Sequence, residues 1–131
     1  MSETQTRTNI KQVGRMIITV ADQDKAIDFY VGKLGFEKRM DVPFGPTQRW
    51  VEVAPPGAAT TIALVAAGEG APAGVDTGIR LTTEDAAADH AGLRSRGVDA
   101  DAEIMNMGGA PPMFTFRDQD GNRLVVVQSR P

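Results

Sequence analysis

The chain has 131 residues, 14 basic and 17 acidic, for a net charge of −3, with one histidine and no cysteine. That length suits one domain able to bury roughly two-thirds of its unfolded surface, and the charge provides no basic field for nucleic acid or an anionic membrane. The counts exclude disulfide scaffolds, thiol chemistry and zinc sites needing several Cys or His ligands, and leave His90 as the sole histidine for any Ser-His-Asp triad. A carboxylate-only metal site stays open on arithmetic alone. Residues 1–9 are polar and are expected to be disordered or loosely attached. Neither a signal peptide nor an apolar run of membrane-spanning length is present, so a cytoplasmic location is expected.

Arg15 precedes the β-branched run Met16-Ile17-Ile18-Thr19-Val20, which reads as a strand. Asp22 or Asp24 then caps a helix through DKAIDFYVGKL, where Ile27, Tyr30, Val31 and Leu34 fall on one face. Gly35 follows as the glycine that ends it. Phe36 to Val42 reads as a strand, Pro43 to Pro46 as a loop, and Gln48 to Val53 as a strand. Thr60 to Ala66 makes the fourth. Residues 67–74, AGEGAPAG, form the best linker in the chain. The same order then returns: strand Gly78–Thr82, helix Glu84–Arg96, Gly97, strand Ala100–Met105, loop 106–112, strand Met113–Arg117, a turn at Asp118–Asn122, and strand Leu124–Gln128.

The pattern is βαβββ twice, with modules at about residues 10–66 and 75–128 of a single domain, 10–131. Ile62-Ala63-Leu64-Val65 and Leu124-Val125-Val126-Val127 are apolar on both faces, so neither strand can leave a face in water. One face packs on a helix and the other covers a second sheet or a cavity. The fold class is α+β: two modules whose mixed sheets curl into a cup. A half of this size is marginal alone, which favours pairing of the halves and of two chains as a homodimer.

VADQDKAIDFYVGKLGF (20–36), RLTTEDAAADHAGLRSRGV (80–98) and FRDQDGNRLVVVQ (116–128) resemble the vicinal oxygen chelate superfamily. That group holds glyoxalase I, extradiol dioxygenases and bleomycin-resistance proteins. The resemblance implies paired βαβββ modules forming a cup that a homodimer usually completes. In metal-using members, one His, Gln or Glu ligand lies on the first and last strand of each module. Carried onto this chain, those positions are Arg15, Ala63 (Thr61 after a two-residue slip), Gly78 (or Thr77) and Val125. None of Arg15, Ala63, Gly78 and Val125 ligates metal, and a permanently cationic arginine repels a divalent ion. The expectation is therefore no metal and no cofactor.

With Arg15 facing the cup, period-two alternation adds Ile17 and Thr19, and the matching positions are Thr61, Ala63, Val65, Gly78, Arg80, Thr82, Val125 and Val127. The candidate ligand-binding set is Arg15, Phe44, Trp50, Thr61, Arg80, Met105 and Met113: guanidinium groups for an anion, rings for stacking, adaptable methionines. Glu52, alternating with Trp50, is the candidate general base. His90 belongs to a helix, Phe29 and Tyr30 to the core, and the Asp118–Asn122 cluster to a hairpin turn rather than a calcium loop. The reading is a metal-independent small-molecule-binding protein that sequesters a drug or metabolite. One alternative is a metal-free, or substrate-metal-dependent, isomerase or lyase acting on a small carbonyl or anionic compound. The other is a structural or regulatory domain whose cup is filled by its own side chains.

Overall fold

A computed structural model describes residues 7–129. The expectation for residues 1–9 therefore falls mostly outside the described residues. β1 (Arg15–Val20) leads to Asp22, whose carboxylate accepts from the Lys25 N–H at 3.0 Å and caps α1 (Gln23–Ile27). The helix then widens into a π turn over Asp28–Lys33, where the Leu34 N–H donates to the Phe29 carbonyl at 3.1 Å. Gly35 takes φ 78°, and the Phe36 N–H reaches back to the Tyr30 carbonyl at 3.0 Å. β2 (Glu37–Phe44), β3 (Gln48–Ala54) and β4 (Thr61–Ala66) complete a sheet of order β1-β4-β3-β2. The second module repeats it: β5 (Asp76–Thr83), α2 (Ala86–Ser95) capped by Asp85, β6 (Asp99–Ala100), β7 (Met113–Arg117) and β8 (Arg123–Gln128), in order β5-β8-β7-β6. The expected α+β, two-module architecture is present.

Three local expectations change. The loop placed at Pro43–Pro46 shrinks to residues 45–47, because β2 runs on through Pro43 and Phe44. β2 is a sheet edge, where a proline's missing N–H leaves no ladder partner unsatisfied. The strand expected over Ala100–Met105 stops at Ala100, with one isolated bridge between Met105 and Met113. Residues 99–103 hold no β-branched or aromatic side chain to cover a pleated surface. The helix expected through Leu34 is α-helical only in its first half; the wider second half turns the consecutive Phe29 and Tyr30 both inward.

The core lies on the helix side of each sheet. Ile18, Val20, Val51, Val53, Ile62 and Leu64 pack with Ala26, Phe29 and Tyr30 in module one; Phe114, Phe116, Leu124 and Val126 pack with Ala86 and Leu93 in module two. Phe29 stacks on Phe116 across the modules, ring centroids 6.3 Å apart, and burying each such ring contributes roughly 2–3 kcal/mol. The turn between β7 and β8 clasps the seam. Tyr30 Oη donates to Asp118 Oδ2 at 2.8 Å. Asn122, fully buried, donates to the Thr19 carbonyl at 3.0 Å and accepts from the Gly74 and Val75 N–H groups at 2.7 and 3.0 Å. Asp120 accepts from the Ala21 N–H at 2.9 Å. Burial first, then the neighbouring Asp118, holds the Tyr30 phenol far above its ordinary pKa, so it serves as a donor throughout. The expected hairpin turn is thus also the polar joint between modules.

Candidate functional site: two concave sheet faces

Residues opposite one another on a β-ladder share a face. The observed register pairs Arg15 with Thr61, Ile17 with Ala63, Thr19 with Val65, and Glu52 with Ala63, all on the face away from the helix. A bulge between Lys38 and Met40 then sets Met40 opposite Glu52 and Val42 opposite Trp50. In module two, Arg80 pairs with Val125 and Thr82 with Val127, while Thr115 and Met113 continue across β7. The register of β5 shifts between Asp76 and Arg80, where Gly78 adopts φ 73°, a conformation open to glycine and strained for other residues. This bulge brings Arg80 opposite Val125.

Glu52 is the centre of the first face, only 4% exposed. Its Oε2 accepts from Trp50 Nε1 at 2.7 Å and Arg15 Nε at 3.1 Å, and its Oε1 accepts from Thr61 Oγ1 at 2.8 Å. These partners hold the carboxyl below the usual glutamate range: the indole N–H contributes most and outweighs the opposing desolvation, with Thr61 and Arg15 adding to it. Such a carboxylate is an ionised acceptor already in use. Around it lie Ile17, Met40, Val42 and Phe44, which are 59%, 41%, 45% and 57% exposed. Phe44 and Trp50 meet at a centroid distance of 6.0 Å and, with Gln48, Val65 and Gln23, border a recess of about 300 Å³. Behind them Gln23 Nε2 donates to the Arg49 and Leu64 carbonyls at 2.8 and 2.9 Å, tying α1 to β3 and β4.

The second face is organised differently. Arg117 is held by Asp101 at 2.8 Å and Asp99 at 3.6 Å. Arg80 has only a 3.3 Å hydrogen bond from Nη1 to the Gly78 carbonyl. Met113 lies on this face, and backbone bonds of 2.8 and 3.2 Å hold half-exposed Met105 beside it. The candidate residues thus fall into two groups, Arg15, Phe44, Trp50, Thr61 and Glu52 on one sheet, and Arg80, Met105 and Met113 on the other. Among the described residues, no hydrogen bond, ion pair or ring contact joins the groups, and neither face is covered within the chain. His90 lies apart on α2, its Nε2 2.7 Å from the Asp101 carbonyl and its ring edge-on to Phe114. Sequence reading missed the apolar margin of Met40 and Val42, because the bulge that aims them has no signature in residue type.

At the positions that the sequence resemblance assigns to metal ligands stand Arg15, Ala63, Gly78 and Val125. No trio of His, Cys, Asp or Glu able to hold a metal exists among the described residues. Beside Arg15 and Ala63, Glu52 is committed to a guanidinium, an indole and a hydroxyl, and beside Gly78, Asp76 accepts from the Gly78 N–H at 3.1 Å. This donor set does not suit a divalent ion. No helix among the described residues is long and apolar enough to cross a membrane.

Comparison with known proteins agrees with this geometry. Residues 11–126 match the Glyoxalase/Bleomycin resistance protein/Dioxygenase superfamily. The crystal structure of TnmS3, an antibiotic binding protein from Streptomyces sp. CB03234, is 37% identical, covers 95% of this chain and 100% of its own, and superposes with a TM-score of 0.85. A superfamily member from Sphaerobacter thermophilus DSM 20745 is 39% identical over 92% of this chain and 98% of its own, with a TM-score of 0.86. YetH of Bacillus subtilis (strain 168) is 34% identical over 115 residues, 86% of this chain and 94% of that protein.

Proposed function

The chain belongs to the Glyoxalase/Bleomycin resistance protein/Dioxygenase superfamily, and from that premise we propose that it is a metal-independent small-molecule-binding protein that sequesters an antibiotic or related metabolite. The observation carrying this reading is the committed state of Glu52: among the described residues it is the one buried carboxylate on the concave faces, and it already accepts three hydrogen bonds. A base near its task needs a raised pKa; Glu52 has a lowered pKa, with donors on both of its oxygens. We therefore assign it to holding Trp50 and Arg15 in place rather than to moving a proton. The likeness to an antibiotic binding protein over nearly the whole chain supports the ligand class.

The two half-sites become one cavity when two copies pair, the first face of one against the second face of its partner. The exposed Ile17, Met40, Val42 and Phe44 supply the apolar area such pairing buries. Equilibrium sedimentation is expected to give a dimer, and Ile17→Glu a monomer. The function itself is tested by thermal-shift screening against aromatic antibiotics and small metabolites, with and without divalent metal. A bound compound raises the melting temperature by mass action, and the expected hit does so equally in chelator. A shift that requires metal, or turnover of the hit compound, would contradict the proposal.

A further inference from the structure

We infer that Arg80 is the specificity-determining residue of the binding face, selecting ligands that carry an anionic oxygen beside a planar ring. The inference rests on the small-molecule reading above and adds the ligand's charge. It follows from a census of charge and hydrogen-bonding capacity on the two faces. On the first, Arg15 is neutralised by Glu52 at 3.1 Å, and the Glu52 oxygens are occupied by Trp50 and Thr61 as well. That centre offers an incoming molecule no free charge. On the second, Arg117 is neutralised by Asp101 and Asp99.

Arg80 differs. No carboxylate lies within 4.0 Å of it among the described residues, and its one hydrogen bond is a long 3.3 Å contact within its own strand. It stands opposite Val125, with Thr82 and Thr115 on the same face; neither threonine hydroxyl donates or accepts a hydrogen bond in the structure. The result is a guanidinium and two hydroxyls among Val125, Val127 and Met113, with no acidic partner. Arg80 and Thr82 are exposed in the single chain, so the guanidinium donors stand open to an incoming anion. The planar fork of arginine matches a carboxylate or sulfonate through two parallel bonds. The chain as a whole is acidic, at −3, so general attraction for anions is absent and the preference has to come from local guanidinium groups. Arg123 is exposed on the same face and also has no carboxylate within 4.0 Å among the described residues. It stands opposite Asp76 and Arg117 at the other end of β8 from Val127, which leaves Arg80 as the one beside Val125 and Thr115.

Two matched fluorescent probes test it: anilinonaphthalene sulfonate, which is anionic, and neutral phenylnaphthylamine. The sulfonate is expected to bind about tenfold more tightly than its neutral counterpart. Arg80→Gln should erase that preference while leaving the neutral probe's affinity and the melting temperature unchanged, and Arg80→Lys should restore part of it. Equal affinities in the unaltered protein, or a preference that survives Arg80→Gln, overturns the assignment of Arg80 alone. Failure of the neutral probe to bind, or binding indifferent to Trp50→Ala, overturns the binding-face reading and the Arg80 inference with it.

Discussion

The two modules share a fold and a helix-side core, yet their concave faces solve opposite problems. In the first, a buried carboxylate gathers a guanidinium, an indole and a hydroxyl into a closed polar centre with an apolar margin. In the second, the carboxylates are spent on Arg117, and Arg80 is left with one long bond to its own strand. The difference teaches that the same repeat can close its polar groups on one another or leave a cation unpaired. Under the proposed function, the first face supplies shape and a stacking surface and the second supplies charge.

The seam common to both modules should give the largest effect and should not distinguish them. Asn122→Ala removes a fully buried amide and with it a partner of Asp118 Oδ2, the Gly74 and Val75 N–H groups and the Thr19 carbonyl, at a cost of about 3 kcal/mol. Denaturant unfolding measures the loss, and hydrogen exchange should find both modules loosened together. Glu52→Ala comes next and should fall on the first module alone. It leaves the Trp50 and Thr61 donors without an acceptor, and a loss of about 2 kcal/mol is expected. Arg15 adds little to this figure, since its side chain is 55% exposed and solvent screens the pair.

Acid sharpens the same contrast. The Glu52 carboxyl is lowered in the folded state from its ordinary value of 4.5. Its contribution to stability is therefore fully present above that value and is lost as pH falls below it, through the lower folded-state pKa. Melting curves from neutral pH downward should show a smaller acid loss in Glu52→Gln than in the unaltered protein. An identical acid limb would mean the closed centre contributes nothing. The smallest stability effect belongs to the second face, where Arg80→Gln should change unfolding free energy by less than about 0.5 kcal/mol. A large loss there would erase the distinction between the faces.

Much of this organisation was legible in the residues. The alternation around Arg15-Ile17-Thr19 and the apolar strands at Ile62–Val65 and Leu124–Val127 located the modules and their inward faces, because side-chain period and glycine-terminated helices are local signals. Phe44 and Trp50 were legible as a pair, although Phe44 proved to lie in an edge strand rather than a loop. Less visible were features requiring distant partners. The clasp of Tyr30 on Asp118 spans 88 residues of sequence, and the Glu52 centre draws Arg15 from 37 residues away. Bulges at Met40 and Gly78 decide which side chains face inward, and only assembled ladders reveal them. The division of the candidates into two uncovered half-sites is likewise a property of packing.

Trp50, the only tryptophan in the chain, donates to Glu52 and borders the recess, so its fluorescence reports directly on the first face. The most direct test is titration of that emission with the best compound from the thermal-shift screen, once in excess chelator and once in saturating zinc or manganese. Saturable quenching with the same affinity in both buffers is the predicted result. Quenching that vanishes in chelator and returns with metal would contradict metal-independent binding at this face.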